Sequence, residues 1–311
     1  MNERDGRIAT LLVSPWGVLL GALLALTLAA APPYPNLESD RTPGPAPLAA
    51  YNGLDPFTAS QPFEGGNLLE PGAGWVSFTW YGEGPALDRE GPFWIEADFP
   101  VTLRVTDDFC TGDRFRIYDN GAELAETFDT TKGPGSIRGP DAAFRDARWT
   151  SGIYSLAGGR HELRIQAADN PWKMGRGYVR IDRESTFATF ASEDLSENFG
   201  PVRGADSFRT SSAIALGEDS DGILPNFEEV VVSFGRYLEV IPAGSFVCNE
   251  IDCEYVSAGP GITRAVLRTT GFHFEADRVR LCPGSNPLVV GVWIGNDGGA
   301  MRFRCQGRLH D

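Results

Sequence analysis

The stretch Phe93-Trp94-Ile95-Glu96-Ala97-Asp98-Phe99 decides the fold class. Phe93, Ile95, Ala97 and Phe99 fall on one side of an extended chain, with Trp94, Glu96 and Asp98 on the other. Side chains alternate across a strand, so this pattern predicts a strand with one apolar face. The same alternation recurs in Val101/Leu103/Val105, Phe115/Ile117, Leu163/Ile165/Ala167 and Val179/Ile181. Asp119-Asn120-Gly121 predicts a tight hairpin, because Asn-Gly accepts the positive φ angles of a type I′ turn.

A second series of strands is predicted at 229–234, 237–241, 263–269, 271–276, 288–294 and 301–305. Leu288, Val290, Val292 and Ile294 form a continuous inward face, with Val289, Gly291 and Trp293 opposite. No amphipathic run of helical period exceeds about ten residues. Short strands separated by turn residues predict an all-β protein: two antiparallel β-sandwich domains in tandem, after a signal peptide and a Pro-rich linker. The expected boundaries are 1–31 for the signal peptide, 32–71 for the linker, 72–184 for the first sandwich, 185–204 for a second linker and 205–311 for the second sandwich. Trp80 and Trp293 are expected to be structural.

Residues 8–31 carry no charge and follow Arg4 and Arg7. Pro15 interrupts the run, and Ala29, Ala30 and Ala31 close it, as in a cleaved secretory signal; uncleaved, the segment is long enough to anchor the chain in a membrane. Either way the remainder is expected outside the cytoplasm, secreted, periplasmic or at the cell surface. A net charge of −15, spread along the chain, works against binding to nucleic-acid phosphates. Five cysteines fit an oxidising compartment. Cys248 and Cys253 bracket a polar tip between strand-like runs and have the reach for a cross-strand bridge, which leaves Cys282 and Cys305 to pair with each other. Zinc is disfavoured by the wide cysteine spacing.

Three segments, VTDDFCTGDRFRIYDNG (105–121), PDAAFRDARWTSG (140–152) and LAGGRHELRIQ (156–166), give residues 75–183 a resemblance to a secreted β-sandwich module of bacterial and fungal exported proteins. More distantly they resemble CUB-type sandwiches. In the fungal relatives the cysteine matching Cys110 has a partner in the following loop; this chain has none there, which implies a free or intermolecular Cys110. IALGEDSDGI (214–223), VIPAGSF (240–246) and WIGNDGG (293–299) are similar to a bacterial module built around an IPAGSF hairpin. Both resemblances imply fold, and neither brings a reaction.

The sequence has no HExxH, no G-x-S-x-G, no P-loop and no G-x-G-x-x-G at a strand–helix junction. Calcium is the ligand best matched by the loop acids Asp107, Asp108, Asp113, Asp119, Asp141 and Asp146, since hard cations take several oxygens, and the CUB resemblance points the same way. A second candidate is the acidic loop 217–222, with Asp219 and Asp221 as metal ligands beside Glu228. In both places aspartate also serves as an ordinary turn former. Trp94, Trp149 and Trp172 are the candidate platforms for stacking a sugar ring. These features predict an exported, non-catalytic binding or structural interaction protein for carbohydrate or another extracellular or cell-envelope partner. The alternative is an exported glycoside-type hydrolase with paired carboxylates.

Overall fold

The computed structural model describes residues 67–303, apart from 129, 138, 203 and 282–287. The proposed signal segment, most of the first linker and the Cys282/Cys305 pair lie outside the described residues.

The described chain is all-β, and its one α-helix is the short Pro140–Phe144. The first sandwich has a six-stranded sheet whose path runs Asn67–Leu68, Phe93–Ala97, Gly159–Asp169, Arg114–Asp119 and Ala122–Glu126, with Ala86–Leu87 pairing off it. Its second sheet orders Ser151–Leu156, Val101–Asp107, Met174–Arg183 and Val76–Tyr81. Phe93, Ile95, Val101, Leu103, Val105, Phe115, Ile117, Leu163, Ile165, Val179 and Ile181 all enter one core between the sheets, as their alternation predicts. Asn120 and Gly121 both take positive φ, and Asp119 pairs with Ala122, so the expected hairpin turn forms.

The second sandwich stacks a five-stranded sheet, Ser185–Thr186, Asp297–Phe303, Leu288–Ile294, Val230–Phe234 and Tyr237–Ile241, against a six-stranded one. That larger sheet orders Thr189–Asn198, Asp206–Ala215, Gly271–Val279, Gly261–Arg268, Cys253–Val256 and Val247–Cys248. Leu288, Val290, Val292 and Ile294 face its core. Cys248 stands opposite Cys253 at the sheet edge, and the two form the expected disulfide. Asn249 closes the tip: its Oδ1 accepts from the amides of Ile251 and Asp252 at 2.7 and 3.0 Å.

The stretch 185–204, expected as a linker, is largely strand. Ser185–Thr186 pairs in parallel with Asp297 and Gly298, and Thr189–Asn198 pairs with Asp206–Ala215. Phe187 is buried in the second core, and Phe190 and Leu195 pack against it. The Ser, Glu and Asn that make the stretch read as a connection belong to an edge strand, where much of the surface meets water.

Both sandwiches lie within one compact unit, 57–311. Phe144 and Ile153 of the first form a common apolar cluster with Val231, Leu238, Val240 and Trp293 of the second. This explains why Val101–Asp107 is buried on both faces: Leu103 looks into the first core, while Arg104 looks toward the second sandwich. It also explains Trp293, which sits opposite the inward Val292 and Ile294 and is buried at the junction, its Nε1 3.3 Å from Glu184 Oε2. Trp80, the other tryptophan expected to be structural, is fully buried in the first core.

Candidate functional site

The three candidate tryptophans are not free platforms. Trp94 was expected on the polar, exposed face, yet it is only 7% exposed, because the guanidinium of Arg160 lies 4.7 Å over its ring. Trp172 is half-buried; its Nε1 donates to Thr111 O at 3.0 Å, and Lys132 Nζ sits 4.5 Å over the ring. Trp149 is 4% exposed beneath Arg148, and its Nε1 is buried with no hydrogen-bond partner. The alternation rule locates the face of a strand; it does not see the arginine that folds over it.

The candidate aspartates disperse. Asp108 is buried and ion-paired with Arg176 at 3.0 Å. Asp119 accepts from His161 at 2.9 Å. Asp141 accepts from Trp75 Nε1 at 2.9 Å, and Asp146 holds Arg148 through two oxygens. Asp219 pairs with Arg183 at 2.9 Å. Asp107 and Asp113 are fully buried, and burial together with neighbouring acids pushes their pKa values up to about 9 and about 7. Asp221 does come near Glu228, as the loop spacing suggests, and Asp297 joins them from a hairpin distant in sequence. Burial, then these two acids, raises Glu228 to about 7. Among the described residues no three His, Cys, Asp or Glu side chains are grouped so as to hold a metal ion.

The arrangement with the most binding chemistry is one the sequence reading did not assemble. A cleft of about 960 Å3 runs between the two sandwiches. One wall comes from the loops around 128–134 and 144–149, the other from 236–240, 260–261 and 278–280. Phe128, Pro134 and Pro260 supply apolar surface, and Lys132, Arg145, Arg148, Arg236, Arg278 and Arg280 line it against a single acid, Glu239. In a chain of net charge −15 this is a local gathering of bases, most of them paired with acids at the edge of the cleft. Acids behind the wall fix the guanidinium forks: Arg145 bonds Glu229 at 3.0 Å, Asp146 clamps Arg148, and Arg236 pairs with Glu126. Glu239 is committed to the fold, accepting from Tyr237 and from the amide of Ile262, and burial raises its pKa. The signal was present only as scattered arginines, since no spacing rule joins 145 and 148 to 236 and 278.

No protein-family model matches the chain, and no curated protein matches it. Among solved structures it is distantly similar to a GH2 β-galacturonidase from Eisenbergiella tayi, at 12% identity and a TM-score of 0.23, over 71% of this chain and 35% of that one. It is also similar to a β-glucuronidase from Ruminococcus gnavus, at 9% identity and a TM-score of 0.19, over 74% and 35%. The chain thus spans about a third of the length of these proteins.

Proposed function

We propose that this is an exported binding protein that takes a carboxylate-bearing ligand, an acidic glycan, into the cleft between its sandwiches. The observation that carries the reading is the meeting of six basic side chains in a cleft where the lone acid of the lining already has partners. Guanidinium groups suit carboxylates because two parallel N–H donors match two oxygens, and pre-oriented forks lose little entropy on binding. Clefts at domain junctions are common ligand sites for the same reason: two rigid walls hold groups that neither wall could converge alone. Glycoside hydrolysis at this place is disfavoured, since the lining offers one carboxylate where that chemistry needs two.

Titration calorimetry with a hexuronate oligosaccharide and a neutral oligosaccharide of the same length tests the proposal. The expected result is binding of the acidic one alone, weakening as salt rises, because exposed charges are screened beyond about 10 Å at 0.1 M. Arg148→Ala and Arg278→Ala, both at exposed side chains, should each reduce the affinity several-fold without lowering the melting temperature. Equal binding of both sugars, or none of either, would sink it.

A further inference from the structure

The outer face of the second sandwich carries another concavity, of about 580 Å3, built on the strands Asp206–Ala215, Gly271–Val279 and Gly261–Arg268. Register sets Ser211 opposite His273 and places Arg209 and Arg264 on either side of Glu275. Residues two apart on a strand share a face, so Arg209 and Ser211 stand beside His273 and Glu275 on the wall of the hollow. Ser211 Oγ is 2.7 Å from His273 Nδ1, and His273 Nε2 is 2.8 Å from Glu275 Oε1. The bond from His273, and then the charge of Arg209, hold the Glu275 carboxyl below its ordinary range, so it is ionised. An ionised carboxylate only accepts, so Nε2 carries a proton; in the neutral imidazole Nδ1 then presents its lone pair to the serine hydroxyl.

We propose that Ser211, His273 and Glu275 form a nucleophile, base and carboxylate relay that hydrolyses carboxylic esters of polar alcohols. Three groups in series are more than a cross-strand polar pair requires, and they open onto a polar hollow walled by Thr270, Glu193 and the arginines Arg264 and Arg268, which pair with Glu254 and Asp252. Ser211 Oγ bonds to the acyl carbon as its proton passes to His273 Nδ1, and the carbonyl becomes a tetrahedral alkoxide. The alkoxide collapses, the bond to the alcohol oxygen breaks, and the alcohol leaves with the proton from Nδ1. Water then attacks the acyl-serine, giving its proton to Nδ1. Collapse of the second alkoxide releases the carboxylic acid and returns the proton to Ser211. Glu275 is a positioning residue, acting on the ester only through the imidazole. Nothing in this assignment depends on the cleft between the sandwiches.

The test uses the purified full chain with p-nitrophenyl acetate and a fluorophosphonate label. The expected adduct maps to Ser211 and disappears, with ester turnover, in Ser211→Ala and His273→Ala variants whose melting curves match the parent. Glu275→Gln should lower kcat roughly a hundred-fold with KM nearly unchanged, a split that a structural defect would not produce. Labelling at another residue, or turnover undiminished in Ser211→Ala, overturns the proposal. So does a folded parent that neither labels nor turns over the ester.

Discussion

Arg104 and Glu229 meet where the two sandwiches join, with guanidinium Nη1 2.5 Å from carboxylate Oε1. Arg145 adds a bond to the other carboxylate oxygen at 3.0 Å. Burial by itself would raise the pKa of Glu229; Arg104, and after it Arg145, more than reverse this and hold it below the ordinary glutamate value. Arg104→Ala leaves a buried carboxylate without its principal partner and is expected to cost about 3 kcal/mol. Urea unfolding at pH 7 measures it. A depressed folded pKa gives stability that is present above the unfolded value and lost as pH falls through the folded one. The parent should therefore lose this contribution on acidification below about pH 4.5, and Glu229→Gln should lack that acid-side component.

Asp107 and Asp113 behave in the opposite sense. Both are fully buried and both oxygens of Asp113 lack hydrogen-bond partners; burial raises both, with Asp113 adding to the shift of Asp107 and Asp169 to that of Asp113. A raised folded pKa means that the fold prefers the protonated form, so stability is highest below the unfolded value of 3.8 and declines as pH rises toward about 7 for Asp113. Asp113→Asn should remove part of that decline, gaining on the order of 2 kcal/mol over the parent by pH 8. Thermal melts across pH 4 to 8 check it. Calcium held by these carboxylates would invert the result: at millimolar calcium the Asn variant would become the less stable one. No such inversion is expected, because the neighbouring Asp108 is already neutralised by Arg176.

Alternation places Leu103, Ile117, Ile165 and Val292 in their cores because residues two apart share a strand face and an apolar face turns to the core. The disulfide and the Asn120-Gly121 turn are equally local. Trp94 and Trp149 read as surface platforms, but Arg160 and Arg148 cover them, and long side chains leave no periodic trace. The 185–204 stretch reads as a linker because edge strands are polar by composition. Pairs such as Ser211 with His273, or Arg104 with Glu229, depend on register and on the packing of one sandwich against the other. Their separations of 62 and 125 residues put them beyond any spacing motif.

The Cys248–Cys253 bridge closes a short loop at the outermost strand of the larger sheet. Short loops have little closure entropy to remove, so its loss is expected to cost about 2 kcal/mol. The tip also keeps its Asn249 bonds without the sulfurs. A Cys248→Ser/Cys253→Ser variant should therefore fold, with faster amide exchange confined to the 247–256 hairpin. Exchange accelerated throughout the second sandwich would show that the bridge governs more than its own edge.

Gly177 faces Phe78 across the sheet, and Gly175 faces Trp80 two residues further along the same strand pair. A methyl group at Gly177 would sit 2.4 Å from Phe78 Cζ, and one at Gly175 2.1 Å from Trp80 Cζ2. The aromatic rings lie over the bare glycine backbones, which is how two such large side chains fit side by side in one core. Neither ring can retreat, since Phe78 and Trp80 both pack edge-on against Phe115 at 5.4 and 5.1 Å between centroids. Gly177→Ala and Gly175→Ala are each expected to destabilise by about 1–3 kcal/mol through overpacking, although alanine is otherwise the better strand residue. Pairing Gly177→Ala with Phe78→Leu should recover part of the loss, because the smaller side chain vacates the space that the methyl group needs. Denaturant midpoints for the two single variants and the double variant form the cycle that measures this coupling.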